Sequence, residues 1–275
     1  MSLDREQLLG VAHAERQRLG RMIQFAGPES WDQPSACDGW WNRDVMAHLA
    51  AGDTIAAQLV AGQPPAELDE FRSDGDASFD LDAFNTWTVN RRSGQDTREV
   101  LTTWGQAAES FLAYCATLSD EDWTDRRFDY IEGPIAARYL IQTRIVEWWL
   151  HGEDIRATNG LGPQWQHWPI HLTIDMAVRM LPWSLGRAGY DLSGLSVEVV
   201  VEGAGQGRWH WGLGSGEIPA GKKKPDAQLM GRAPQLALVA GQRLKPDDAL
   251  LSGNVVLGGE RDLAETIVRH LRAFP

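Results

Sequence analysis

The chain has 275 residues, enough for one large domain or two modest ones, and 43% of them are hydrophobic, enough for a substantial core. With 26 basic and 38 acidic residues the formal net charge is -12, which argues against a nucleic-acid partner, since phosphate binding relies on clustered Lys and Arg. The run Lys222-Lys223-Lys224, beside Gly221 and Pro225, reads as a solvated loop. Two distant cysteines, Cys37 and Cys115, give no disulfide framework, and the N-terminus carries no apolar signal core. No apolar run reaches the ~18 residues a membrane span needs, so a cytoplasmic protein without membrane contact is expected.

Residues 4–25 repeat Leu8, Leu9, Ala12, Leu19, Met22 and Ile23 at helical spacing, and Asp4 with Gln7 forms a capping-box pattern. Gly27-Pro28 ends this helix, and residues 28–41 are too irregular for a long element. A second helix is predicted from Asn42, as N-cap, to Val60, and residues 62–78 read as a long polar loop. Helical patterns return over Asp80–Arg92 and Asp96–Leu118. Gly133-Pro134 opens a long helix that Asn159-Gly160 stops after Thr158. Residues 1–160 therefore read as an antiparallel helical bundle.

After Gly160 the composition changes. Residues 160–168 read as a linker, and a helix is predicted from Pro169 to about Leu185. β patterns follow at Leu195–Glu202, paired as a hairpin with Gly207–Leu213, and at Ala227–Met230 and Val255–Leu257. Helices are predicted near Ala233–Gly241 and Glu260–Ala273, so residues 169–275 form a smaller α+β domain.

Seven histidines are available for chemistry. Glu147 and His151 stand four apart on the last bundle helix, so both leave one face about a turn apart. His48 sits mid-way along the second helix among apolar neighbours, where a neutral imidazole needs a partner. Bringing those helices together gives two histidines and one glutamate around a point, a mononuclear site with open positions. Spacing alone leaves the ordinary readings open: an ion pair for Glu147 and His151, a hydrogen-bonded core residue for His48. Asp44, one turn before His48, and Asp154, three residues after His151, are candidates to accept the free imidazole N–H; helix-end electrostatics is the other reading, above all for Asp44. His167 and His171 are also four apart, but Pro169 suits a first turn and leaves His167 outside the helix, which weakens a metal role. Cys37 reads as a packed thiol near the site mouth.

The stretch Trp40-Trp41-Asn42-Arg43-Asp44-Val45-Met46-Ala47-His48-Leu49 resembles the signature on the second helix of DinB-like bundles. Arg144-Ile145-Val146-Glu147-Trp148-Trp149-Leu150-His151-Gly152-Glu153-Asp154 resembles the glutamate–histidine signature on their last long helix. With Trp31 and the early helix, these segments are similar to the mycothiol-dependent maleylpyruvate isomerase family, in which a metal-binding DinB-like four-helix bundle precedes a smaller sterol-carrier-like α+β domain. The tail from Leu251 to Ala264 resembles that second domain's last strand and helix.

Carried over residue by residue, the resemblance implies metal ligands at His48, Glu147 and His151. It implies zinc, with nickel or iron as alternatives, a low-molecular-weight thiol such as mycothiol as cofactor, and a small electrophilic substrate. The implied activity is thiol-dependent isomerisation or S-transfer, with a second-domain arginine (Arg208, Arg232, Arg243 or Arg261) binding substrate carboxylates. The rival readings are a non-catalytic metal-containing protein that binds small molecules or lipids, and a metal-dependent hydrolase. A monomer or weak homodimer is expected. Two positions depart from the family pattern. Trp41 stands where Thr usually follows the Trp, leaving Asn42 to cap, and Glu153 stands where Trp is common; both are expected close to the site.

Overall fold

The computed structural model describes residues 3–74, 79–131 and 133–274. It divides into two compact units, one running to Gln164 and the other starting at Trp165. Among the described residues no helix is long and apolar enough to cross a membrane.

The first unit is helical. Its long helices are α1 (Arg5–Phe25), α2 (Asn42–Val60), α5 (Thr97–Thr117) and α7 (Ala137–Thr158). Shorter helices lie between them: α3 (Ala66–Asp74), α4 (Leu81–Arg92) and α6 (Asp120–Thr124). The capping box of α1 forms, with Asp4 Oδ1 accepting the Gln7 N–H at 2.8 Å and Gln7 Oε1 accepting the Asp4 N–H at 3.0 Å. Such a cap contributes about 1 kcal/mol. Asp96 and Glu99 cap α5 in the same way. The four long helices close a ring, α1 against α5 and α7, and α2 against α5 and α7. Val45, Met46, Leu49 and Ile55 of α2, Phe111 and Leu112 of α5, and Leu140, Ile141 and Ile145 of α7 are all fully buried in the core.

Three local expectations change. Part of the expected loop at 62–78 is helix α3, whose Leu68 is fully buried; residues 75–78 lie outside the described residues. Gly133-Pro134 does not open α7. It belongs to strand β2 (Gly133–Ala136), which pairs antiparallel with β1 (Arg127–Tyr130), so the helix starts at Ala137. A proline fits this short two-stranded ribbon because each of its strands is an edge. Asn42 is not the cap of α2 either. It is the first helical residue and is buried, with Nδ2 donating to the Ser30 carbonyl at 2.8 Å; Asp44 Oδ2 accepts the N–H of the capping residue, Trp41, at 2.9 Å.

The second unit opens with α8 (His167–Arg187). A four-stranded sheet follows in the order β4-β3-β5-β6, from β3 (Ser196–Glu202), β4 (Gly207–Gly212), β5 (Ala227–Arg232) and β6 (Val255–Gly259). β3 pairs antiparallel with β4 and parallel with β5, and β5 pairs antiparallel with β6. Val197, Val199 and Val201 alternate into the core. Helices α8, α9 (Ala233–Ala240) and α11 (Arg261–His270) pack with the sheet, and a short α10 (Pro246–Leu251) precedes β6. α8 begins two residues before the predicted Pro169, which places His167 in its first turn and on the same face as His171.

Candidate metal centre

Helix α7 is buried along nearly its whole length, yet carries Gln142, Arg144, Glu147, His151, Glu153 and Asp154. A helix buried on all sides normally reads as apolar throughout, so each of these groups needs a partner. Two polar layers, both shared with α2, supply most of them.

In the first layer His48 Nε2 lies 3.1 Å and His151 Nε2 3.3 Å from the same oxygen, Glu147 Oε2. The two imidazoles stand edge to face with centroids 5.0 Å apart, and the Trp40 ring lies 5.3 Å from that of His48. One donor atom from each of the three side chains falls within 4.8 Å of the other two. Donors held about 2.0–2.2 Å from a tetrahedral cation stand roughly 3.3 Å apart, so the spacing suits a single ion. On its other edge His151 Nδ1 lies 2.9 Å from Asp154 Oδ2, and the Cys37 thiol donates to that same oxygen at 3.1 Å. In a neutral ring the Asp154 contact would favour the proton on Nδ1 and leave Nε2 available as a ligand.

The electrostatics are those of the cluster without an ion, with Glu147 anionic, His48 neutral and His151 protonated, so coordination through His151 Nε2 would displace a proton. Burial lowers the pKa of His48 despite its bond to Glu147, keeping a neutral ring suited to coordination. Burial alone would raise the Glu147 carboxyl, but hydrogen bonds from His151 and His48 outweigh it and hold the group well below the usual carboxylate range. Burial likewise opposes charge on His151, yet the hydrogen bonds to Asp154, Cys37 and Glu147 lift it well above the usual imidazole range. Asp53 is matched by the buried Arg144 guanidinium, whereas the Glu147 and Asp154 carboxylates meet imidazoles, which leaves the cluster with more negative than fixed positive charge. A divalent cation would balance this excess of negative charge, and the donor set fits one.

The second layer lies one turn away. Arg144 Nε donates to Asp53 Oδ1 at 2.5 Å, Trp148 Nε1 donates to Asp53 Oδ2 at 2.8 Å, and Arg144 Nη1 donates to the Tyr130 hydroxyl at 3.2 Å. Gly52 makes room for this, because a Cβ there would stand 2.7 Å from Arg144 Nη1. Advancing along α2 from His48 to Asp53 moves back along α7 from Glu147 to Arg144, so the two helices run antiparallel. Nothing in the spacing rules singled out Asp53, Trp148, Tyr130 or Trp40. The available signal was a charged residue at an apolar helical position, seen at both Asp53 and Arg144.

The structure thus brings His48, Glu147, His151 and Asp154 together and adds Cys37. Asp44 stays at the start of α2, capping Trp41, and makes no hydrogen bond to His48 among the described residues. Glu153 points away from the triad: both its oxygens accept the Gln164 N–H at 3.1 Å, and Arg156 lies 3.7 Å from it. Trp41 is 44% exposed, with the Arg43 guanidinium 6.0 Å over its ring. In the second unit Arg208 pairs with Glu198 at 3.6 Å, Arg261 pairs with Glu265 at 3.0 Å, Arg243 donates to the Gly241 carbonyl, and Arg232 occupies the N-cap position of α9 without a side-chain capping bond.

No curated protein matches the chain significantly. Two solved structures do: the crystal structure of the mycothiol-dependent maleylpyruvate isomerase (14% identity, TM-score 0.62) and that of a histidine-to-alanine mutant (13%, 0.61). Each match covers 93% of this chain and 93% of the other, so the shared fold spans both units. The family model for the mycothiol maleylpyruvate isomerase N-terminal domain matches residues 12–156, which contain all three converging side chains. Since that match spans more than half of the sequence, the chain belongs to the mycothiol maleylpyruvate isomerase N-terminal domain family.

Proposed function

We propose that the protein is a thiol-dependent metalloenzyme whose His48, Glu147 and His151 hold one divalent cation, zinc before nickel or iron. The observation that carries this reading is the approach of two imidazole Nε2 atoms to one buried carboxylate oxygen, at 3.1 and 3.3 Å, in a chain of this family. When bound, the cation would supply Lewis acidity that keeps a low-molecular-weight thiol such as mycothiol in its reactive thiolate form. The reaction class is isomerisation of an activated double bond by reversible thiol addition, or S-transfer to an electrophile.

The chain's own residues have separable tasks. Glu147 supplies the anionic ligand and His48 a neutral one. Asp154 accepts the Nδ1–H of His151 and orients that ring. Trp40 walls His48 from one side and limits water around the donors. Arg208, Arg232, Arg243 and Arg261 are the second unit's arginines considered for the substrate carboxylates; Arg232, exposed where β5 meets α9, is the first to replace.

Elemental analysis of the purified protein tests the ligand set. About one equivalent of metal is expected, with none in His151→Ala; metal that persists in the variant refutes the triad. Thermal-shift titration of the metal-loaded protein with mycothiol, bacillithiol and glutathione tests the thiol. Stabilisation by one of them is expected, and stabilisation by none removes the thiol from the proposal. Conversion of maleylpyruvate with that thiol would then separate isomerase from transferase.

A further inference from the structure

A cavity of about 360 Å³ lies within the second unit, between the start of α8 and the β3–β4 hairpin, lined by His167, Trp168, His171, Val201, Gln206 and Gly207. Its size falls in the range of small-molecule pockets. Two glycines let the hairpin come this close. A Cβ on Gly205 would meet Ile170 Cγ2 at 2.2 Å, and one on Gly207 would stand 3.0 Å from His171 Cε1. Helix α8 places His167 and His171 one turn apart, their rings 24° from parallel with centroids separated by 5.8 Å. Trp168 meets both rings edge-on, at 4.7 and 5.5 Å.

The hydrogen bonds fix what each imidazole offers. His171 Nδ1 lies 3.1 Å from the Gln206 carbonyl oxygen, which can only accept, so Nδ1 carries the proton and Nε2 a lone pair. His171 is 7% exposed, and its Nε2 has no hydrogen-bond partner among the described residues. Burial lowers its pKa, which keeps the ring neutral. His167 is the converse: its Nδ1 accepts the Gly205 N–H at 3.2 Å, so the neutral ring carries its proton on Nε2. The cavity therefore presents one acceptor and one donor beside an indole and a valine.

We propose that this cavity binds a small neutral molecule bearing one hydroxyl on a flat apolar body, a phenol in chemical class. A hydroxyl satisfies both histidines at once, donating to His171 Nε2 and accepting from His167 Nε2–H, while the ring packs on Trp168 and Val201. A carboxylate is a poor fit: no Lys or Arg is among the lining residues, and the His171 lone pair would repel it. A metal is also disfavoured. Coordination through both Nε2 atoms would move the His167 proton to Nδ1, against the Gly205 N–H.

The test is calorimetric titration of the full chain with 2-naphthol, with 2-naphthoate as the anionic comparison. One 2-naphthol per chain is expected, and about tenfold weaker binding of 2-naphthoate. His167→Phe, at an exposed position, keeps a ring but removes the donor and should weaken 2-naphthol by about tenfold. Nitrogen-15 spectra of the wild-type histidines should show His171 protonated on Nδ1, with its Nε2 resonance moving on addition of 2-naphthol; this readout needs no variant to fold. Absence of binding, equal or tighter binding of 2-naphthoate, unchanged affinity in His167→Phe, or an unmoved His171 signal would each overturn the proposal.

Discussion

Replacing Arg144 by Met removes the one guanidinium that pairs with Asp53 among the described residues. Both side chains are almost wholly buried, and among the described residues Asp53 would retain only the Trp148 indole N–H as partner. Leaving one charge of a buried pair without its mate costs about 3–5 kcal/mol. At about 2–4 °C per kcal/mol for a domain of this size, the melting temperature should fall by about 6–20 °C. The pair itself is not perfectly satisfied, since Arg144 Nη2 is buried without a hydrogen-bond partner among the described residues. Removing both charges together, as Asp53→Leu with Arg144→Met, should therefore recover most of the loss, to within about 2 kcal/mol of the wild type. Urea titrations of the wild type, the two single variants and the double variant, followed by far-ultraviolet circular dichroism, form the double-mutant cycle. If Arg144→Met costs less than about 1 kcal/mol, or if the double variant loses the sum of the singles, Asp53 and Arg144 are not a buried ion pair.

Three further outcomes follow from other parts of the molecule. Asp154→Asn keeps the shape but loses the anionic acceptor of the His151 N–H, so metal affinity, read by competition with a chromogenic chelator, should fall about 10- to 100-fold; the metal-free protein should also lose stability at pH 7, because the same contact, against the effect of burial, raises the His151 pKa. Burial pushes the Cys115 thiol up to about 12, against a weaker opposing pull from Arg5, so iodoacetamide at pH 8 with peptide mapping should label the half-buried Cys37 first; early labelling of Cys115 in the native protein would contradict its burial. In the second unit burial would raise Asp226, but hydrogen bonds from Lys222 and from the Ser196 N–H hold it below its ordinary value. A depressed carboxylate contributes stability above its unfolded pKa, near 3.9, that is lost as pH falls through the folded one. The stability gap between wild type and Asp226→Asn should therefore be full at pH 7 and close below about pH 3; a gap independent of pH would show that the charge contributes nothing.

The parts of the fold legible in the sequence are those where one periodicity dominates. The helical repeat of α1, the Val alternation of β3 and the stop at Asn159-Gly160 each rest on a local rule, and Gly160 takes the left-handed φ of +67° that ends α7. The elements missed were short ones held by contacts from elsewhere. α3 buries Leu68 against the bundle, and β1–β2 exists because two extended segments pair, which a Gly-Pro pair read as a helix start does not reveal. At the candidate site, spacing brought out Glu147 and His151, since helical geometry alone puts them on one face. His48 required knowing which helices are neighbours. Asp53 and Arg144 were invisible as a pair, because 91 residues separate them and no local pattern links them. Cys37 lies in an irregular segment whose path depends on the tertiary structure, so its approach to Asp154 could not be read from spacing.

The two polar layers explain each other. A carboxylate cannot be buried between helices without fixing how far one helix has slid along its neighbour, and α2 meets α7 through two such carboxylates. The Asp53–Arg144–Trp148 layer sets the register with a short ion pair and a short indole bond, both fully enclosed. With that register set, His48 of α2 comes opposite Glu147 and His151 of α7, the juxtaposition that the proposed metal site requires. An apolar contact of the same area would hold the helices together, but ridges sliding in grooves tolerate several nearby registers, whereas a hydrogen-bonded charge pair accepts one. Polar burial in α7 is therefore coherent: one layer fixes the helices and the other presents the donors, and both are built from residues three to five positions apart on the same two helices.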